Sequence, residues 1–161
     1  DVYMDGAQIA GRIASMEPDE IAYEMVEHKA LGMVGQAELP GRQLKAIKAT
    51  IKWIWLETAV LLKTATPNRS VTFTVEQFVD VFDATGLVIG QSYRVVSNYT
   101  VLFGAEEWAA MEAGDESMGY ETPCSVVRLT VKSTETDQFV REFDLFAGIN
   151  RVDGKDVWPK Y

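Results

Sequence analysis

The sequence predicts a mainly β fold, an antiparallel sandwich or barrel with one flanking α-helix, and three observations predict it. Apolar and polar residues alternate with period two through most of the chain. Tight-turn dipeptides, Asp5-Gly6 near the start and Asp153-Gly154 near the end, sit between such runs. Only one short stretch, "LETAVLLKTATP", switches to helical spacing. At 161 residues the chain is the length of one domain, residues 1–161, and is large enough to bury a core.

The elements follow in order. "VYMDGAQI" puts a short apolar run before Asp5-Gly6, a two-residue hairpin signal, and a strand is expected to follow through "RIASME" and end at Pro18. "IAYEMVE" alternates Ile21, Tyr23 and Met25 against Ala22 and Glu24 and reads as a strand. Residues 28–41, "HKALGMVGQAELPG", contain Gly32, Gly35, Pro40 and Gly41 without a sustained period, so a long loop is expected. The loop carries Leu31, Met33, Val34 and Leu39, which a solvated linker does not need. Two readings stand side by side: a flap folded onto its own domain, or an arm reaching another subunit.

"KAIKATIKWIW" admits two periods. As a helix it would align Leu44, Ile47, Ile51, Ile54 and Trp55, with Lys45, Lys48 and Lys52 opposite. As a strand it places Ile47, Ala49, Ile51, Trp53 and Trp55 on one face and Lys48, Thr50 and Lys52 on the other. The strand is preferred because Ile, Thr and Trp favour a pleated surface and Pro40-Gly41 offers a clean start. The helix follows over residues 56–64, with Leu56, Ala59, Val60 and Lys63 at helical spacing and Pro67 beyond its end.

"SVTFTVEQFVDVFDATG" sets Val71, Phe73, Val75, Gln77, Val79 and Val81 against Thr72, Thr74, Glu76, Phe78, Asp80 and Phe82, a run longer than an ordinary strand. "QSYRVVSNYTVLFG" repeats the pattern after a connection from Ala84 to Gly90. "AEEWAAMEAGDESMG" is acidic and glycine-broken, a loop with a helical turn expected around Trp108. "SVVRLTVK" and "FVREFDLFAGI" pair across "STETD", and "RVDGKDVW" closes with a tight turn.

Net charge is −9 with acids spread along the chain, so no basic patch offers itself to a phosphate backbone. An acidic surface either solubilises the protein or lets DNA pass without holding it. With one cysteine and one histidine there is neither a disulfide framework nor an ordinary zinc site, and Cys124 in "PCSVVRLTV" is expected to be a buried, inert thiol. No apolar run reaches membrane length and no basic-then-apolar leader opens the chain. A sequence beginning at Asp1 is expected to have been trimmed or processed.

Catalytic signatures are missing: no phosphate-binding loop, no dinucleotide fingerprint, no nucleophile elbow and no histidine pair at ligand spacing. Glu106 with Glu107 and Asp115 with Glu116 read as solvated charge in a polar segment. Glu76 and Asp80 share a strand face and could in principle act as acid and base, yet polar residues at alternate positions of a wet strand are the expected background. Trp53, Trp55 and Tyr93 would suit a stacking platform for single strands, but the basic groove such binders need is lacking, which favours packing. The expectation is therefore a protein that is not an enzyme and holds no cofactor or metal.

The order of features in "DVYMDGAQIAGRIASMEPDE", "KALGMVGQAELPG", "LKAIKATIKWIW" followed by a helix, and "FDLFAGINRVDGKDVW" resembles the major tail tube proteins of contractile-tailed bacteriophages, a family that includes the tubes of pyocin-like particles. The similarity runs over nearly the whole chain.

The resemblance implies a structural virion protein, assembled in the host cytoplasm, whose homohexameric rings stack into a tail tube inside a contractile sheath. Long strands from the copies would close a larger barrel around the lumen, removing exposed strand edges. Implied partners are other copies of the chain, the sheath protein, a tape measure protein in the lumen, and baseplate and tail terminator proteins. Double-stranded DNA would pass without specific binding, and no membrane is involved. The segment His28, Lys29, Leu31, Gly32, Met33, Val34, Gly35 and Gln36 then corresponds to a loop touching the adjacent ring. Lys48, Thr50, Lys52, Glu76 and Asp80 become a candidate lumen or inter-subunit strand face, on which Glu76 and Asp80 could partner Lys48 and Lys52. The alternatives are the secreted ring protein of type VI secretion systems, a monomeric barrel for an apolar ligand, and, more distantly, an acidic-site hydrolase.

Overall fold

The computed structural model describes residues 1–9, 13–54, 57–104 and 120–159. Strands β1 (Val2–Met4) and β2 (Ala7–Gln8) turn through Asp5, at φ 48°, and Gly6, at φ 83°. Both turn residues adopt positive φ, as a two-residue hairpin of this hand requires. The chain continues through β3 (Ile13–Pro18), β4 (Tyr23–His28), β5 (Ala37–Leu44) and β6 (Ile47–Trp53) to the single described helix, α1 (Thr58–Thr64). Then come β7 (Ser70–Val79), β8 (Phe82–Asp83), β9 (Gly86–Leu87) and β10 (Tyr93–Leu102). The last strands are β11 (Tyr120–Ser133), β12 (Gln138–Asp144), β13 (Ile149–Val152) and β14 (Lys155–Asp156).

Strand pairing is antiparallel throughout, in the order β14-β13-β12-β11-β10-β7-β1-β2, with β6 joined to β11 and β3 joined to β6. The two layers arise at β11. Its first half, from Tyr120 to Val126, pairs with β6, and from Arg128 onward the same edge takes β12. The register against β10 shifts at that point, because Thr100 faces Arg128 and Val101 faces Val126, leaving Val127 as a bulge. A bulge bends and twists a strand, which is how one strand can serve two sheets. Among the described residues the sheet has free ends at β2, β3 and β14. The fold is thus a sandwich with one helix, as the alternation predicted, and the subunit shows no closed barrel among the described residues.

The core lies between the layers. Ile47, Ala49, Ile51 and Trp53 from β6 meet Val71 and Phe73 from β7, Val101 and Phe103 from β10 and its continuation, Cys124, Val126 and Leu129 from β11, and Phe143 from β12. Phe73 and Phe103 pack edge to face with ring centroids 6.4 Å apart. Trp53 is fully buried, and its indole N–H donates to Thr122 Oγ1 at 3.1 Å across the β6–β11 pair. Without that acceptor a buried donor would go unpaired, at a cost of about 1–3 kcal/mol. The strand reading of "KAIKATIKWIW" therefore holds, with Lys48, Thr50 and Lys52 facing away from this core. Trp55 lies outside the described residues.

Helix α1 is shorter than the predicted 56–64, begins at Thr58, and buries Val60 and Thr64. Leu56 lies outside the described residues. Lys63 reaches Asp5 at 2.9 Å, while Asp5 Oδ1 accepts the Thr72 N–H at 2.9 Å, so one turn residue ties the helix to β7.

Four expectations need correction. Residues 28–41 are not one loop: His28 ends β4, and β5 starts at Ala37 and runs through Pro40-Gly41, so the break before β6 falls at Lys45 and Ala46 and not at Pro40-Gly41. Pro40 is tolerated because β5 pairs only with β4, leaving its other edge free of ladder bonds. Gly41 is needed because the ladder skips there, and a Cβ would meet the Glu24 carbonyl oxygen at 2.7 Å. The long run from Ser70 breaks after Val79, and β8 and β9 form a small separate ribbon that includes part of the expected connection. Finally, β11 starts at Tyr120, ahead of "SVVRLTVK", and accommodates Pro123 because, among the described residues, β11 pairs there with β6 alone. The expected helical turn at Trp108, with Glu106, Glu107, Asp115 and Glu116, lies outside the described residues.

Candidate functional site

Among the described residues, the most exposed apolar side chains belong to the hairpin of β4 and β5. Among the described residues it pairs with no other strand, and two-stranded ribbons are marginal in water unless something packs on them. Its tip, residues 29–36, presents Leu31 at 106 % and Val34 at 109 % exposure together with exposed Met33, and Met25 and Val26 on β4 and Leu39 on β5 are exposed as well. Gly32 takes φ 88°, and the Met33 N–H bonds the Ala30 carbonyl at 3.2 Å, so the tip is a formed turn. Of the predicted contact residues, His28 closes β4, while Lys29, Leu31, Gly32, Met33, Val34, Gly35 and Gln36 make up this tip. The sequence signal was apolar residues among glycines; the hairpin itself was missed because β5 has little alternation.

Lys48, Thr50 and Lys52 share the outer face of β6. Glu76 lies on β7, which β11 and β10 separate from β6, and Asp80 follows the end of β7. The structure does not bring the two groups together within one subunit. Lys52 pairs instead with Glu17 at 3.5 Å and Glu121 at 3.7 Å from the flanking strands β3 and β11. Glu76 pairs with Arg94 at 3.7 Å on the neighbouring β10. Both pairings join residues near each other across a ladder, which sequence spacing alone does not reveal because the register is unknown. The acid–base reading of Glu76 with Asp80 loses its geometry as well, since Glu76 is engaged by Arg94 on a sheet surface.

Two further apolar patches were not anticipated. One gathers Phe78, Phe82, Leu87 and Ile89 at the far end of the β7–β10 pair, where Phe82 is 69 % and Ile89 79 % exposed. Its ribbon is held by Ser92, whose Oγ donates to the Val88 carbonyl at 2.9 Å and accepts the Val81 N–H at 3.2 Å. Asp83 accepts bonds from the side chain and backbone of Thr85, and these hold its carboxyl below the usual carboxylate range. A sequence signal existed: Phe78 and Phe82 occupy the polar register of their run. The second patch, Phe139, Val140, Leu145, Phe146 and Val152, lies along β12, the turn after it and β13.

Chemistry is sparse by comparison. Cys124 is buried, its S–H donates to the Ala49 carbonyl at 3.4 Å, and burial pushes the thiol up to about 11. Among the described residues no three His, Cys, Asp or Glu side chains are grouped as metal ligands, and no helix is long and apolar enough to cross a membrane. Exposed apolar surface of this extent marks sites that other molecules cover.

Comparison with curated proteins finds no match. The family described as phage tail tube protein FII matches residues 1–161, the whole chain. Its members are structural components of the virion, assemble with one another into a tube alongside other tail proteins, and are not enzymes. An end-to-end match, on a sandwich with unpartnered apolar strands, means that the chain belongs to the phage tail tube protein FII family.

Proposed function

We propose that the chain forms homohexameric rings that stack into the tail tube of a contractile-tailed phage, the conduit for DNA ejection inside the sheath. The observation that carries this reading is the β4–β5 hairpin, a ribbon with no partner strand and an apolar tip, which gains a packing surface once a neighbouring copy covers it. On this reading the tip from His28 to Gln36 touches the adjacent ring. The overhanging ends of β7, β10, β11 and β12, with exposed Phe78, Phe139 and Val140, meet neighbours within a ring. Lys48, Thr50, Lys52, Glu76 and Asp80 belong to lumen-facing or inter-subunit strand surfaces. The sheath packs outside, the tape measure protein occupies the lumen before DNA, and baseplate and tail terminator proteins close the two ends. Net charge of −9 suits a wall that DNA slides past without residence. A ligand-binding barrel is disfavoured, because Trp53, Phe73 and Phe103 fill the space between the layers where a ligand would sit.

Negative-stain electron microscopy of the purified protein over a concentration series tests the reading. Rings or hollow tubes with sixfold end views are expected at high concentration. Compact monomers throughout, with or without added tail-initiating complex, would overturn it.

A further inference from the structure

The hairpin is anchored to the sandwich at its root by residues far away in sequence. Trp158, just after β14, sets its indole against the Tyr23 ring at the base of β4, edge to face, with centroids 6.0 Å apart. The Arg42 guanidinium of β5 covers the same indole at 5.8 Å and donates to the Pro159 carbonyl at 3.4 Å. Tyr23 is held from the sandwich side, because the Asn150 side-chain amide of β13 donates to its hydroxyl at 3.2 Å. Asn150 is fixed in turn by Arg141, which donates to its Oδ1 at 2.6 Å and to the Arg151 carbonyl at 3.0 Å. The Val157 N–H bonds the Asn150 carbonyl at 3.0 Å and brings Trp158 into place. One aromatic ring thus bridges both strands of the hairpin and the edge of the large sheet.

We propose that residues 157–159 form a latch that sets the pose of the β4–β5 hairpin against the sandwich, with Trp158 as the positioning residue. Backbone continuity fixes only one end of the hairpin, where the Lys45 N–H meets the Ala22 carbonyl at 2.8 Å. A ribbon held there alone would swing about that point. The latch supplies the second point of attachment, and two points define an orientation. Among the described residues the buried indole N–H has no hydrogen-bond partner, so the Trp158 ring itself is held by ring and cation contacts, while the backbone beside it is held by the bonds at Val157 and Pro159. The inference rests on the reading of the hairpin as the element that meets another ring, since only then does its pose affect assembly.

Hydrogen exchange measured by mass spectrometry on the full chain, at a concentration where it is unassembled, tests the latch apart from assembly. In Trp158→Ala, peptides of β4 and β5 are expected to exchange about tenfold faster or more, while those of β6 and β10 keep their protection. Trp158→Phe should stay near wild type, because phenylalanine keeps an aromatic ring against Tyr23 and Arg42 and the lost N–H has no partner among the described residues. Arg42→Gln should give a smaller acceleration confined to the same peptides. Unchanged exchange in the hairpin of Trp158→Ala, or loss of protection across the whole sandwich, would overturn the latch. If the hairpin loosens and tubes still form normally, the latch stands and the inter-ring reading of the hairpin falls.

Discussion

Cys124 illustrates how the interior sets a residue's chemistry. Its neighbours across β6 and β11 exclude water, and this desolvation raises the thiol from 9.0 to about 11, against the smaller opposing effect of the bond to Ala49. The unfolded chain loses this proton near pH 9, whereas the folded chain keeps it to about 11. The folded state therefore binds more protons in that window, and stability from this source, complete below pH 9, is lost as pH rises to about 11. Chemical denaturation at pH 8, 9.5 and 11 should show wild type losing more stability over that window than Cys124→Ala. Parallel curves would show that the thiol is not held protonated. The inert role of this residue was legible from "PCSVVRLTV"; its partner, the Ala49 carbonyl, was not, because it depends on the β6–β11 register.

Among the elements, the β4–β5 hairpin is the one where the proposed assembly role can be tested apart from stability. None of its tip residues belongs to the core, and Leu31 and Val34 are fully in water. Removing residues 31–36 should leave the thermal unfolding of the subunit within a few degrees of wild type, since surface changes away from the core cost about 0.5 kcal/mol or less. The same deletion should abolish tube growth by electron microscopy; normal tubes would remove the tip from the interface. Helix α1 and β6 show the opposite balance, because Val60 and Trp53 are core residues. The elements with strict alternation, β6, β7 and β10, were visible in the sequence. The strand β5 was not, since a ribbon exposed on both faces has no apolar face to impose a pattern.

At the scale of the molecule, charge and assembly are linked. The chain carries −9, and reversing Lys48 and Lys52 to glutamate, four charge units in all, takes it to −13. Within one subunit the loss is small: the Lys52 pairs with Glu17 and Glu121 are exposed at their ends, and such pairs contribute about 0–1 kcal/mol. Between copies the added repulsion acts at every contact. The double variant should therefore unfold at nearly the wild-type urea concentration while its rings and tubes form less readily, read by light scattering over a concentration series. Assembly at the wild-type level would place this face of β6 away from neighbouring subunits.

The sequence by itself determined what depends on local chemistry. Period-two alternation fixed the strands whose one face is buried, and Asp5-Gly6 and Asp153-Gly154 fixed their turns. Tertiary structure alone decided what depends on register and on contacts distant in sequence. The bulge at Val127 splits β11 between two layers, Glu17 and Glu121 replace the acids expected beside Lys52, and Trp158 finds Tyr23 across the length of the chain. The reason is the same in each case: alternation says which way a side chain points, but only strand pairing says which strand it points beside.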